Sequence, residues 1–188
     1  VGNTEQHEKG MFFSQGAPSM IPALLMNLKS KKGFRVLDMC ASPGGKTHHI
    51  SCLMKGKGVI VSNEFDRYRR KVLNINLKRC GVKNVKVSAF RGEKFELCEG
   101  IDKFDAILVD APCTGSGMIK GDFARTKKLL KEWNPKMVKK YARLQKKLLE
   151  RGFDLLKNGG RIVYATCSLD PEEDEGVANW FKDNFKCK

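Results

Sequence analysis

The sequence lacks an apolar run long enough to cross a bilayer, and no signal peptide opens the chain. It has three histidines, and its seven cysteines include no C-x-x-C pair and no cysteine pair at zinc-ligand spacing from a histidine. An odd number of scattered cysteines is typical of reduced thiols. These absences argue against a membrane protein, a metal site and a disulfide scaffold, and they predict an intracellular protein of the cytoplasm or of the nucleus and nucleolus.

Acidic residues are also scarce. The 188-residue chain has 21 Asp and Glu against 36 Lys and Arg, a net charge of +15. Such an excess favours a polyanionic partner, most simply nucleic acid, although a solubilising lysine-rich surface would give the same charge. The length suits one domain, for which we expect an N-terminal segment over residues 1–32 and a core over 33–188.

Short apolar runs alternate with helical patterns and predict five strands. The predicted strands are Phe34–Met39, Gly58–Asn63, Val85–Phe90, Phe104–Val109 and Arg161–Ala165. Strands that alternate with helices imply an α/β fold with a mostly parallel sheet, right-handed crossovers and helices on both faces. In such sheets ligands bind at the carboxyl ends of the strands, near the point where the strand order reverses.

Two of the predicted helices have a recognisable apolar side. In the helix over Asp66–Arg79 the predicted buried residues are Val72, Leu73, Ile75 and Leu77. In the helix over Met137–Leu156 they are Met137, Tyr141, Leu144, Leu148 and Leu155. We expect Asn158-Gly159-Gly160 to end the second helix and to lead into the fifth strand.

The first strand leads into "DMCASPGGKT", Asp38–Thr47, which opens a helix. Gly44 and Gly45 allow a tight turn and a close approach of the backbone to a ligand. The free N–H groups of the helix behind them suit an anionic group such as a carboxylate. The motif is neither G-x-G-x-x-G nor the phosphate loop. Glu64 ends the second strand roughly 20 residues later, where an acid can accept hydrogen bonds from a ribose diol, or can simply be solvated. Loop and acid together predict a nucleoside cofactor.

Two strands lead to a thiol. The fourth runs into Asp110-Ala111-Pro112-Cys113, and the fifth stops at Thr166-Cys167-Ser168. A single cysteine in such a place is more often a packing residue. Two cysteines at the carboxyl ends of adjacent strands favour a catalytic pair, since a thiolate can add to an electron-poor ring and split one hard step into two easier ones.

The motifs "DMCASPGGKT", "NEFD", "DAPCTGSG" and "YATCSLDPEEDE" resemble the Sun (Nop/Sun) family of S-adenosylmethionine-dependent RNA cytosine-5 methyltransferases. "FFSQGAPSMIP", Phe12–Pro22, resembles the family's N-terminal motif, which packs beside the methionine end of the cofactor. The resemblance runs from about Phe12 to Phe181. It implies a class I (Rossmann-like) methyltransferase fold, S-adenosylmethionine as cofactor, and structured RNA, either tRNA or rRNA, as partner.

The resemblance also implies roles for individual residues. Cys167 corresponds to the nucleophile, and Cys113 to the thiol that helps to release the product. Asp110 would reach the N3/N4 edge of the base, and Lys46 would supply positive charge beside the thiolate. The residues expected to bind the cofactor are Cys40, Ala41, Ser42, Pro43, Gly44, Gly45, Lys46, Glu64, Arg69, Arg91 and Asp110.

Two features depart from the family pattern. Arg91 stands where the family usually has an acid that accepts the adenine amino group, which arginine cannot do. We therefore expect either weaker cofactor affinity or a neighbour such as Glu93 in that role. The last two strands of the class I fold are missing, so we expect a fragment or an abbreviated fold.

The residues expected to contact RNA are Lys127, Lys128, Lys131, Lys136, Lys139, Lys140 and Arg143, with Trp133 as a possible stacking face.

Two other functions remain open from the residues. A non-catalytic RNA-binding scaffold with a degenerate cofactor site would explain Arg91 and the short carboxyl-terminal part. A DNA cytosine-5 methyltransferase would use Cys113 as the nucleophile, but the presence of Thr166-Cys167 argues against it.

Overall fold

The computed structural model describes residues 4–97, 100, 102–118 and 123–186, apart from the side chains of 123–125 and 128. Its described strands form one parallel sheet in the order β3-β2-β1-β4-β5. The strands are β1 Arg35–Asp38, β2 Val59–Asn63, β3 Val85–Ser88, β4 Phe104–Asp110 and β5 Leu156–Ala165. The predicted α/β architecture with a parallel sheet is confirmed.

The helices lie between and after these strands. They are α1 Glu5–Glu8, α2 Ile21–Leu25, α3 Gly45–Leu53, α4 Arg67–Arg79, α5 Phe123–Glu132, α6 Pro135–Leu155 and α7 Glu175–Asn184. Short 3₁₀ turns cover Ala17–Met20, Gly92–Lys94, Ser116–Met118 and Pro171–Glu173. From β1 the chain adds β2 and β3 on one side, and then returns to add β4 and β5 on the other. The strand order therefore reverses between β1 and β4, where such sheets bind their ligands.

Alternate residues of the strands face opposite sides of the sheet, and helices cover both sides. Leu37 and Ile107 face the side where α6 and α7 pack. Val36 and Leu108 face the side covered by residues of α2 and α3. Because both faces are buried there, the inner strands β2 and β4 contain the continuous apolar runs Val59–Val61 and Ala106–Val109, as expected for a parallel sheet.

The predicted buried side of α4 is partly wrong. Leu73 and Leu77 are buried, whereas Val72 and Ile75 are 46% and 56% exposed. Residues four apart share a helix face, and Val72 and Ile75 fall beside the face that contains Leu73 and Leu77. The β-branched residues therefore lie on the solvent side of α4.

The predicted face of α6 is rotated by about one residue. Leu148 and Leu155 are buried as predicted, but Met137, Tyr141 and Leu144 are only half-buried. The other buried residues of this face are Val138, Ala142, Gln145, Leu149 and Gly152. A Cβ atom on Gly152 would lie 2.9 Å from Ile162 Cδ1, so the glycine lets α6 approach β5 closely.

The prediction that Asn158-Gly159-Gly160 ends the helix is wrong. α6 ends at Leu155, and the asparagine and glycines lie inside β5. Phe104 pairs with Leu156, and Ala106 pairs with Arg161, so the extra residues of β5 form an irregularity in the ladder. Gly159 has a φ of +74°, a conformation that glycine adopts without strain.

Candidate active site

The loop between β1 and α3 needs both of its glycines. Gly44 has a φ of +108°. A Cβ atom on Gly45 would lie 2.4 Å from Gln15 Nε2 and 2.8 Å from Phe13 Cε1. The N-terminal motif therefore packs directly on the glycine loop, which leaves the first N–H groups of the nine-residue helix α3 to face a ligand.

Helix α4 holds this loop in place. Ser42 Oγ donates to the carbonyl of Arg69 at 2.9 Å, and Arg69 Nη2 donates to the carbonyl of Ser42 at 3.2 Å. Asn76 Nδ2 donates to the carbonyl of Pro43 at 2.9 Å.

Burial, followed by the charges of nearby acids, raises the pKa of the Cys40 thiol, so this cysteine stays protonated. Cys40 therefore contributes backbone and packing to the loop rather than reactivity.

Glu64 lies beside the loop. It is buried, and its Oε1 accepts from the backbone N–H of Asp66 at 2.9 Å. Arg69 Nε lies 3.4 Å from Glu64 Oε2, so the arginine links the acid to the Ser42 turn. The structure thus brings together Ser42, Glu64 and Arg69 from three separate segments of the predicted cofactor site.

Arg91 lies at the same edge, after β3. Its Nε donates to Glu93 Oε1 at 2.8 Å, and its guanidinium carbon lies 5.3 Å from the centre of the Phe65 ring. Phe65 is 57% exposed and directly follows Glu64. Glu93, the predicted substitute acceptor for adenine, is therefore already paired with Arg91.

Two buried polar residues at this edge were missed by the sequence interpretation. Asn63 Nδ2 donates to the carbonyls of Met39 and Phe90 at 3.1 and 2.9 Å, so it joins the ends of the first three strands. Asp38 accepts from Thr47 Oγ1 at 2.6 Å, while its Oδ1 has no hydrogen-bond partner within the described part of the chain. Burial raises the pKa of Asp38 to about 7, against the effect of the Thr47 hydrogen bond. The sequence did contain a signal for both residues, because each is a polar residue at the end of a buried strand, Asp38 in β1 and Asn63 in β2.

Lys46 and Asp110 meet across the point where the strand order reverses. Lys46 Nζ lies 2.8 Å from Asp110 Oδ2, although the two residues are 64 positions apart. Both side chains are partly buried. The lysine therefore neutralises and orients the carboxylate that follows β4.

The two predicted cysteines also meet. Cys113 Sγ lies 2.9 Å from Cys167 Sγ, and the backbone N–H of Gly117 donates to the carbonyl of Cys167 at 2.9 Å. The hydrogen bond from Cys167 lowers the pKa of Cys113 to about 6, against the effect of burial. The same hydrogen bond, followed by burial and by the charges of Cys113 and Asp110, raises the pKa of Cys167. The pair therefore loses its first proton readily and holds its second tightly.

A basic cavity of about 300 Å³ lies between the Gly92–Lys94 turn and α6. Its lining residues are Arg91, Glu93, Lys136, Lys140, Arg143, Leu144 and Lys147. Within the described part of the chain, the four α6 cations form no ion pair. Of these four, Lys136, Lys140 and Arg143 were predicted to contact RNA. The other lysines of that prediction whose side chains the structure describes, Lys127, Lys131 and Lys139, are exposed. The Lys128 side chain lies outside the described residues. Trp133 is partly exposed and donates through Nε1 to Asp170 at 3.2 Å.

Among residues 4–97, 100, 102–118 and 123–186, no group of three or more His, Cys, Asp or Glu side chains could hold a metal ion. No helix within those residues is long and apolar enough to cross a membrane.

Comparison with known proteins identifies the family. A family model described as 16S rRNA methyltransferase RsmB/F matches residues 25–185. Ribosomal RNA small subunit methyltransferase F of Escherichia coli strain K12 is 40% identical over 185 residues, which are 98% of this chain and 38% of that relative. This chain thus spans less than half the length of the curated relative.

Two solved structures are also similar. NSun6 from Pyrococcus horikoshii with SFG, an S-adenosylmethionine analogue, superposes with a TM-score of 0.84 at 37% identity, over 97% of this chain and 45% of that chain. A methyltransferase homolog protein from Pyrococcus horikoshii gives 0.82 at 39% identity, over 98% of this chain and 55% of that chain.

These matches confirm the predicted resemblance to the Sun family, the class I methyltransferase core and S-adenosylmethionine as the cofactor. The chain therefore belongs to the RsmB/F family of 16S rRNA methyltransferases.

Proposed function

We propose that this chain is the catalytic region of an enzyme that methylates C5 of a cytosine in small-subunit rRNA, through a covalent bond between Cys167 and C6 of the base. The observation that carries the proposal is the pair of sulfurs 2.9 Å apart at the ends of β4 and β5. The family description and the Escherichia coli relative favour rRNA over tRNA. The bacterial source of that relative favours the cytoplasm over a nucleus.

The residues around the glycine loop fit the cofactor. The close packing of Phe13 and Gln15 on Gly45 leaves room for backbone but not for a side chain. The helix N-terminus at Gly45 suits the carboxylate of the cofactor, and Glu64 suits its ribose diol. When bound, S-adenosylmethionine supplies an electrophilic methyl group.

Cys167 and Cys113 have separate roles: Cys167 adds to the base, and Cys113 accepts protons. Cytosine C5 is a weak nucleophile, and addition of the Cys167 sulfur to C6 makes it reactive. As that bond forms, the Cys167 proton passes along the 2.9 Å hydrogen bond to the Cys113 thiolate. After methylation, the C5 proton must leave and the Cys167–C6 bond must break. We assign the removal of that proton to Cys113, once its own proton has passed to solvent.

Asp110 positions the base. As a carboxylate it can accept from the N4 amino group, and the 2.8 Å contact with Lys46 holds it in one orientation. A cytosine must leave its stack to reach this pocket, so the substrate is expected to be single-stranded or flipped at this position.

The direct test is bisulfite sequencing of small-subunit rRNA and tRNA after incubation with the protein and S-adenosylmethionine. A protected cytosine in rRNA is expected. A non-catalytic scaffold would protect no cytosine, and a DNA methyltransferase would modify a DNA substrate instead.

Replacing Glu64 with alanine is expected to weaken cofactor binding by about 1.5–3 kcal/mol, the range for hydrogen bonds that involve a charged group. The corresponding loss of affinity is about 10- to 150-fold. Isothermal calorimetry with S-adenosylmethionine measures it, and Glu96→Ala removes an exposed acid outside the site as the control. An unchanged affinity in Glu64→Ala would remove this residue from the site.

Replacing Lys140, Arg143 and Lys147 together with glutamine is expected to weaken RNA binding at every sequence. A plot of log affinity against log salt concentration has a negative slope, to which each phosphate contact adds about 0.7 for single strands. If each of the three residues contacts one phosphate, the plot of the variant should be less steep by about two. Lys32, Lys55 and Lys57 are exposed near the opposite end of the strands, and their triple glutamine variant changes the net charge equally. Equal slopes for the two variants, measured by filter binding from low to high salt, would show that the cavity makes no special contribution.

A further inference from the structure

A buried carboxylate lies beneath the two loops that carry the cysteines. We call residues 111–115 the first cysteine loop and residues 166–170 the second. Glu173 follows the second loop in the short turn Pro171–Glu173 and has no exposed surface. A carboxylate is costly to bury unless several donors surround it, so its contacts must be accounted for.

Every hydrogen-bond partner recorded for the Glu173 carboxylate is a donor. In the first cysteine loop, Thr114 approaches with its hydroxyl at 2.5 Å and its backbone N–H at 3.1 Å. In the second loop, the Ser168 hydroxyl lies 3.1 Å from the same Oε1 atom that Thr114 Oγ1 contacts. Thr114 directly follows Cys113, and Ser168 directly follows Cys167. One oxygen therefore contacts the neighbours of both thiols.

Gln145 anchors the same carboxylate to α6. Its Nε2 donates to Glu173 Oε2 at 2.8 Å and to the carbonyl of Pro112 at 3.0 Å. Tyr164 of β5 donates through its hydroxyl to the backbone carbonyl of Glu173 at 2.5 Å. Helix α6, strand β5 and the first cysteine loop thus meet at one residue, which explains why a glutamine occupies the buried face of α6.

Asp170 completes the cluster. Its Oδ2 accepts from Thr114 and Ser116 at 2.8 and 2.9 Å, and from Ser168 at 2.9 Å. Burial opposes its ionisation, but these hydrogen bonds and one from Trp133 lower the pKa of Asp170. Each hydroxyl has one proton to donate. The Thr114 and Ser168 hydroxyls must therefore divide their protons between two carboxylates, which couples the two loops.

We propose that Glu173 is a positioning residue that holds the first and second cysteine loops in register and so keeps the two sulfurs within hydrogen-bond distance. β4 and β5 end at Asp110 and Ala165, so strand pairing stops before either cysteine. Beyond that point, the backbone hydrogen bond from Gly117 to the carbonyl of Cys167 and the side-chain contacts around Glu173 set the geometry of the loops. The catalytic meaning of this role rests on the proposed function.

Glu173→Gln tests the proposal at nearly constant volume. The substitution replaces one acceptor oxygen with an NH₂ group, which would face the donors of Thr114 or Gln145. Glu172 is exposed, so Glu172→Gln makes the same chemical change one residue away and serves as the matched control. Circular dichroism and thermal unfolding of both variants report whether the fold is kept.

Two results are expected for Glu173→Gln. The kcat for methyl transfer should fall about 10²-fold, as for a reacting group displaced by about 1 Å, with KM for RNA and for cofactor within about twofold of the wild type. Without RNA or cofactor, the midpoint of the pH profile for iodoacetamide alkylation should rise from about 6. It should move toward the ordinary thiol value of about 8.5. Loss of packing alone would not move that midpoint.

A wild-type alkylation midpoint in folded Glu173→Gln would overturn the proposal. If Glu173→Gln does not fold, Thr114→Val removes the hydroxyl that contacts Glu173 and Asp170 but keeps the backbone N–H, and Thr114→Ser restores the hydroxyl. A raised midpoint in Thr114→Val that Thr114→Ser reverses supports the proposal, whereas an unchanged midpoint in Thr114→Val overturns it. Because the alkylation assay uses no RNA, the positioning role of Glu173 can be supported even where bisulfite sequencing finds no methylated cytosine. That result would overturn the proposed function alone.

Discussion

Replacing Cys167 with alanine is expected to abolish both methyl transfer and the covalent protein–RNA adduct. The alanine has no nucleophile to add to C6, so C5 stays unreactive and the rate should fall by about 10⁴-fold or more, as when the nucleophile of a covalent enzyme is removed. Radiolabelled methyl transfer to rRNA measures the rate. A denaturing gel with end-labelled RNA detects the adduct.

Cys52→Ala is the matched control, because Cys52 is an exposed cysteine on α3, outside the pair. It should transfer methyl groups at the wild-type rate. An adduct that persists in Cys167→Ala would contradict the assignment of the nucleophile. A scaffold would give no adduct with the wild type either.

Replacing Cys113 with alanine is expected to have the opposite effect on the adduct. Cys167 can still add to the base, but the thiol that assists release is gone, so a gel-stable protein–RNA species should accumulate while turnover stops. Cys113→Ala also removes the 2.9 Å hydrogen bond between the sulfurs. The lone Cys167 should then ionise at or above the ordinary thiol pKa of about 8.5, because burial and the charge of Asp110 still disfavour its thiolate.

The pH dependence of adduct formation follows from this change. In the wild type the pair loses its first proton at a pKa of about 6, on Cys113, so the base that takes the Cys167 proton is present at neutral pH. In Cys113→Ala, adduct formation should instead rise as the pH increases from 7 to 9, because the thiolate must form on Cys167 itself. Gels run after incubation at several pH values test this. If the DNA-type arrangement held, Cys113→Ala would lose the adduct and Cys167→Ala would keep it.

The sequence alone was enough to predict which distant residues share one edge of the sheet. Alternating strands and helices imply a parallel sheet, and parallel strands bring all their carboxyl ends to one edge. Lys46 and Asp110 are 64 residues apart, and Cys113 and Cys167 are 54 residues apart, yet each pair lies within 3 Å. Their positions after strands determined which edge of the sheet they occupy.

Local patterns were a poorer guide where the burial of a residue depends on its neighbours. The buried face of α6 contains Gln145 and Gly152, neither of which contributes to an apolar period. Gln145 is there because Pro112 and Glu173 need a donor, and Gly152 because β5 passes close by. A hydrophobic pattern takes no account of hydrogen bonds or of close backbone approach, so the predicted buried face of α6 was rotated from the observed one.

The chemistry within the site was decided by tertiary structure. The motifs contain Glu173, Thr114 and Ser168, but no spacing indicates that one carboxylate oxygen contacts both hydroxyls. The sequence likewise determined that two thiols lie at one edge, but not that a 2.9 Å hydrogen bond joins their sulfurs. Both properties arise from side chains that approach within 2.5–3.1 Å after the loops have folded against each other. Hydrogen-bond geometry and burial at that distance depend on contacts between segments far apart in the chain, so only the folded structure sets them.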